Sequence, residues 1–220
     1  RNLSTALMRA WENRPDCVVV DEPLYAHYLA VTRRPHPGRD AILASQSQDW
    51  REVTSWLTTG THGDAQVWYQ KHMTHHLLPN MERSWMRHLT HCLLIRDPAA
   101  VVSSYAKRRD DVILDDLGFV RQGEIFDHLT LCNGAPPLVV ACEDILKDPR
   151  GVLSALCEEL GVPFFDEMIS WPAGPRESDG VWAEHWYRSV WRSTGFMPYV
   201  KRAADVPPHL RDIVDVAQPI

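Results

Sequence analysis

Arg96 and Ser104 lie eight residues apart, across a stretch that passes from an apolar run into a helical one. An arginine and a hydroxyl so placed can clamp a phosphate, the guanidinium giving two parallel hydrogen bonds and the hydroxyl one more. Glu22 ends a second apolar run, Cys17-Val18-Val19-Val20-Asp21. A carboxylate at that point can serve as a general base, provided burial raises its pKa toward neutrality. Ser4 and Thr5 open an amphipathic stretch, with Arg1 just before them. A helix starting there turns free N–H groups and its positive dipole end toward an anion, with a charge and two hydroxyls added. Each group also has a plainer reading. Asp97-Pro98 can simply cap a surface helix, Ser4 or Thr5 can cap the first one, and Asp21 or Glu22 can cap the helix that follows them.

The elements that must hold these residues alternate. Cys17–Val20, Gln66–Met73, Cys92–Ile95 and Pro137–Ala141 read as strands, short and apolar or rich in β-formers. Continuous apolar strands suit a parallel sheet covered on both faces. Between them, helices are expected over 25–31, 39–45, 49–57, 82–89, 99–108, 118–131, 149–160 and 184–192, with a closing helix at 209–216. Asp148-Pro149 opens the helix that ends at Leu160-Gly161, from cap to C′ glycine. Residues 171–182 form a long Pro/Gly loop with aromatic anchors, of a kind that is often functional. Arg192-Ser193-Thr194-Gly195 can end its helix on a glycine cap. The expected fold is α/β, a three-layer sandwich with a mainly parallel central sheet and helices on both faces. In open sheets of this kind ligands sit at the carboxyl ends of strands, where Glu22, Lys71, His72 and Arg96 fall.

The totals narrow the classes. The chain has 220 residues, enough for one well-buried domain spanning 1–220. The net charge of −6 argues against a nucleic-acid binder, so an anionic ligand needs a local basic site. No apolar run reaches membrane-spanning length. The cysteines, Cys17, Cys92, Cys132, Cys142 and Cys157, are odd in number and mostly within apolar runs, and they read as reduced, buried thiols of a cytoplasmic protein. His72, His75 and His76 invite a metal, but they fall at a strand end and loop, with no paired cysteines and no His-Glu-x-x-His, so no metal is expected. The Gly-x-x-x-x-Gly-Lys-Ser/Thr phosphate loop is missing, which counts against an ordinary ATPase, GTPase or P-loop kinase.

Arg96-Asp97-Pro98 with Ser104 resembles the 3′-phosphate-binding segment of the sulfotransferase family. Arg1-Asn2-Leu3-Ser4-Thr5 looks like its 5′-phosphosulfate loop. In that family a strand precedes this loop, which implies a first strand upstream of residue 1. Glu22 fits the position of a catalytic glutamate in carbohydrate-modifying members. Lys71-His72 is similar to the Lys-x-His pair of cytosolic members, in which the lysine contacts the transferring group and the histidine takes the acceptor's proton, but no residue intervenes here. Glu22, His72 and His75 therefore stay open as the base. Arg192 and Gly195 resemble the late Arg-x-Gly loop over the 3′-phosphate, and Leu160-Gly161-Val162-Pro163-Phe164 matches the family's helix ending. The resemblance implies a donor, 3′-phosphoadenosine-5′-phosphosulfate (PAPS), held by Arg1, Asn2, Ser4, Thr5, Arg96, Ser104, Arg192 and Gly195. It implies a small-molecule or carbohydrate hydroxyl acceptor in a pocket around Tyr25, Tyr28 and Trp182, and no nucleic-acid or membrane partner, with a homodimer open. The rival reading is a catalytically silent module that keeps the nucleotide clamp.

Overall fold

The structure is a computed structural model and describes residues 3–107, 112–201 and 204–218. Arg1 and Asn2, both named above as donor ligands, lie outside the described residues. The order begins with α1 (Ser4–Glu12), β1 (Cys17–Asp21), α2 (Tyr25–Thr32), α3 (Arg39–Ser45), α4 (Trp50–Thr59) and β2 (Val67–Lys71). It continues with β3 (Cys92–Ile95), α5 (Pro98–Ala106), α6 (Leu114–Leu117), α7 (Phe119–Asn133), β4 (Leu138–Ala141), α8 (Cys142–Lys147) and α9 (Pro149–Glu159). The short α10 (Ala183–Trp186) and α11 (Arg188–Trp191) and the closing α12 (Arg211–Ala217) complete it.

Every strand pairing among the described residues is parallel, as the apolar strands predict, and among those residues the strands do not join into one central sheet. β1 pairs with β2 and β3 with β4, as two separate two-stranded sheets. The physical difference lies at the second edges of β2 and β3. Both face a single cavity of about 1730 Å³, lined by residues 66–73 on one side and 91–98 on the other. Strand residues that a covered parallel sheet would bury are therefore left open, Ile95 at 43% and Val139 at 45% exposure.

Local chemistry sets several helix ends. Asp97 accepts from the N–H of Ala100 (2.8 Å) and Asp148 from that of Gly151 (2.9 Å), each with proline in the first turn. Gly161, at φ 68°, closes α9 with its N–H on Glu158, while Val162 N–H reaches Cys157, a wrap that only a residue tolerant of left-handed backbone makes cheaply. α1 differs from expectation: it begins at Ser4 itself, and neither hydroxyl caps it. Residues 82–89 hold only a 3₁₀ stretch, Ser84–His88. The thiols differ too. All five are free, but only Cys142 and Cys157 are buried, whereas Cys92 and Cys132 are exposed.

Two clusters support the strands from opposite faces. Leu7, Trp11, Leu153, Leu156 and Met168 pack α1 and α9 together, while Leu24, Trp50, Leu57, Leu77 and Leu129 fill the other side. The loop at 171–182 is tied down by two carboxylates, Glu12, which meets Ser178 Oγ and Arg176 Nη1, and Asp179. Asp179 accepts from the buried Arg9 (2.5 and 2.7 Å), from Trp191 Nε1 (2.9 Å) and from the Arg176 backbone (2.9 Å).

Candidate active site

The parallel register places Asp21 opposite Lys71 at the carboxyl ends of β1 and β2. Lys71 Nζ donates to Asp21 Oδ1 (2.8 Å), to Glu22 Oε1 and to the Tyr187 hydroxyl (2.8 Å). Tyr187 donates in turn to Asp21 Oδ2 (2.6 Å), and Trp182 Nε1 reaches the same hydroxyl (3.3 Å). All of these groups are buried, Glu22 the least so at 9%. Burial alone would lower the Lys71 pKa, but the two carboxylates outweigh it and hold the ammonium's pKa well above its ordinary value. Burial likewise raises the Tyr187 pKa, so its hydroxyl keeps its proton.

Glu22 itself adopts φ 40°, a left-handed backbone that costs a non-glycine residue on the order of 1–3 kcal/mol. Its surroundings enforce it: Glu22 N–H donates to Lys71 O (2.8 Å), and Glu22 O accepts from Tyr25 N–H and Gln46 Nε2 (3.1 Å each). The capping alternative for Glu22 is not what is seen, since no side chain caps α2. His72 turns away from this network. Its Nε2 meets Gln70 Oε1 (3.3 Å), its ring lies 6.2 Å from Trp85, and burial, with His91 and Lys71 nearby, brings its pKa down to about 4.

The same cavity runs from Glu22 and Lys71 to the start of α1 and the turn after β3. Its lining includes Ser4, Thr5, Arg96, Asp97, Ser193 and Gly195. Cys142, at the head of α8, draws these together: burial raises its thiol pKa, against the Leu3 backbone and the Arg96 charge beside it. Of the sequence candidates, Glu22, Lys71, His72, Ser4, Thr5, Arg96 and Gly195 therefore share one space. Ser104 and the exposed Arg192 are not among its lining residues. Tyr28 and Trp182, expected in the acceptor pocket, are packed behind its wall, while Tyr25 and Trp186 line it. Tyr187 was invisible as a site residue, being separated by 116 positions from Lys71 with no motif of its own.

The sulfotransferase domain model matches residues 1–219. The chain belongs to this sulfotransferase family. Two relatives in Arabidopsis thaliana, branched-chain-amino-acid aminotransferase-like proteins 1 and 2, are 35% and 32% identical over 221 residues. This sulfotransferase domain is covered in full by the match but spans only 39% of each of those proteins. The sulfotransferase domain of the Synechococcus PCC 7002 olefin synthase shares the fold, with a TM-score of 0.55 at 17% identity, covering 99% of this chain and 90% of that one.

Proposed function

We propose that this domain transfers a sulfuryl group from PAPS to a hydroxyl of a small molecule or carbohydrate, with Glu22 as general base. The observation that carries the reading is the buried Lys71–Asp21–Glu22–Tyr187 network at one end of a cavity whose other end holds Arg96 and the uncapped start of α1. The acceptor oxygen attacks sulfur in line. The bond from sulfur to the bridging phosphate oxygen breaks, its electron pair leaving on 3′-phosphoadenosine-5′-phosphate (PAP), and Glu22 takes the acceptor's proton. Charge spreads over the sulfuryl oxygens as in phosphoryl transfer, so positioning and cationic stabilisation supply most of the effect. Lys71 keeps Glu22 in place and remains a cation beside the reacting group. The N–H groups opening α1, with Ser4 and Thr5, face the 5′-phosphosulfate, and Arg96 takes the 3′-phosphate. His72, bonded to Gln70, is the weaker candidate for the base.

The domain reading belongs with this one. It takes 1–220 as one sulfotransferase-like domain, in which the cavity between β2 and β3 leaves room for a further parallel strand. The deciding experiment incubates the protein with PAPS labelled in the sulfuryl group and a mixed pool of alcohols, phenols and sugars. Labelled product supports transfer, whereas PAP binding with no product from any acceptor identifies a silent module.

A further inference from the structure

Glu22 holds a backbone that its own sequence resists. A φ of 40° is unfavourable for a residue with a Cβ. Pro23 follows, and a proline ring drives the residue before it toward extended backbone. Left to these local preferences, Glu22 would relax to an extended conformation, and its Cα–Cβ bond would swing away from Lys71. Main-chain bonds oppose this, from Glu22 N–H to Lys71 O (2.8 Å) and from Tyr25 N–H to Glu22 O (3.1 Å). So does the side chain of Gln46, 24 positions away. Its Nε2 donates to Glu22 O (3.1 Å), and its Oε1 accepts from Ala26 N–H (3.1 Å). That N–H lies in the first turn of α2, whose N-cap residue Leu24 has no side-chain bond to give it. One planar amide therefore spans the turn 22–26, its donor on a carbonyl and its acceptor on an N–H.

Packing delivers Gln46 to this place. It ends α3 in extended backbone, at φ −138°. α3 is held on α2 by Ile42, fully buried in one cluster with Tyr25, Ala26 and Leu29. Just beyond, Gln48 O meets His27 Nδ1 at 2.8 Å. Resting on the reading of Glu22 as the base, we propose that Gln46 is a positioning residue for sulfuryl transfer. Its amide pins the left-handed turn that keeps the Glu22 carboxylate on Lys71 and turned to the acceptor. The turn needs a donor at Nε2. Glutamate has the same reach and supplies an acceptor there; methionine supplies neither group. The role is separate from donor binding, because Gln46 touches the Glu22 carbonyl and the Ala26 amide, and the proposed donor contacts are the start of α1 and Arg96.

The test follows label transfer at saturating PAPS to the mixed pool of alcohols, phenols and sugars, held at fixed concentration. KM for PAPS, PAP binding by calorimetry and melting temperature are measured alongside. Gln46→Met removes both bonds, whereas Gln46→Glu keeps the one from Ala26 and loses the donor to Glu22. Both should slow transfer by about 10- to 100-fold, the scale of a small misplacement of a reacting group. KM for PAPS and Kd for PAP should stay within about twofold of wild type, as a loss confined to the transfer step requires. The decisive comparison adds Gln46→Met to Glu22→Gln. If Gln46 acts through Glu22, the double variant is no slower than Glu22→Gln alone. A merely structural role would slow both backgrounds alike. Such equal slowing, wild-type rates in both single variants, or loss of folding in both overturns the assignment. Failure of the base reading shows separately, as unchanged turnover in Glu22→Gln or no labelled product from the wild type, and takes this role with it.

Discussion

Two strand–turn–helix corners face each other across the cavity, and they handle charge in opposite ways. At the ends of β1 and β2, Lys71, Asp21, Glu22 and Tyr187 are buried and bonded to one another. At the end of β3, Arg96 is half-buried, and the exposed Asp97 gives its carboxylate to the α5 backbone. The first corner ties its charges into one buried network, which on the proposed function holds a base against a neutral hydroxyl. The second combines a guanidinium with the nearby positive end of α1, which suits a multiply charged anion. On the proposed function, the corner whose charges bond to one another is the acceptor end, and the corner whose guanidinium lines the cavity beside the start of α1 is the donor end.

The largest expected effect breaks the first corner alone. Glu22→Gln preserves shape but cannot accept a proton, and turnover should fall roughly 10²–10⁴-fold. PAP affinity by calorimetry should stay near wild type. Turnover that survives Glu22→Gln but not His72→Ala would move the base to His72.

Lys71→Met tests whether that corner is truly self-contained. Removing the ammonium leaves two buried carboxylates uncompensated, and breaking a buried pair in this way costs about 3–5 kcal/mol. Chemical denaturation should show a loss of that size; a loss near zero would mean that solvent reaches the network. The second corner answers to Arg96→Ala. It should weaken PAP by on the order of 1.5–3 kcal/mol while leaving adenosine-5′-phosphate nearly untouched. Equal weakening of both nucleotides would remove Arg96 from the 3′-phosphate.

How legible these corners were in the sequence differs in the same way. The Asp97-Pro98 and Asp148-Pro149 caps, the positions of the four strands and the Gly161 ending were all readable, because each depends on neighbours within a few residues. Lys71 and Glu22 were readable as candidates, but their bond was not, since strand register 49 positions apart decides it. The helix expected over 184–192 breaks into α10 and α11 at Tyr187, the residue whose hydroxyl is drawn to Lys71 and Asp21. Periodicity could not foresee a break made by a partner 116 residues away. The separation of the two sheets was equally hidden, because it depends on what lies between β2 and β3 rather than on either strand.

A smaller effect comes from pH. Burial, with Lys71 close to both, His91 near His72 and His36 near His75, takes His72 from the usual 6.5 to about 4 and His75 to about 3. The folded state therefore resists protonation that the unfolded chain accepts. Stability contributed by these neutral rings is present above pH 6.5 and is lost as pH falls from 6.5 toward 4 for His72 and toward 3 for His75. Melting temperature should decline over that window. His72→Gln should flatten the decline, and an unchanged slope would show that acid acts elsewhere.

The smallest effect uses the two Asp-Pro caps as a matched pair. Asp97 and Asp148 each accept one backbone N–H at nearly equal distance, 2.8 and 2.9 Å, with proline next in sequence. Asparagine caps about as well as aspartate, so Asp97→Asn and Asp148→Asn should both leave melting temperature nearly unchanged. They differ in location: Asp97 lines the cavity next to Arg96, and Asp148 is not among its lining residues. If the β3 corner receives the 3′-phosphate, removing the Asp97 charge lifts a repulsion on that anion. The group is exposed, so the effect is weak and screened, about twofold tighter PAP binding at low salt and none at 1 M. Asp148→Asn should show no change at either salt concentration. Low-salt calorimetry in which the two variants bind PAP alike would mean that the anion sits away from the β3 corner, and the division into donor and acceptor ends would have to be redrawn.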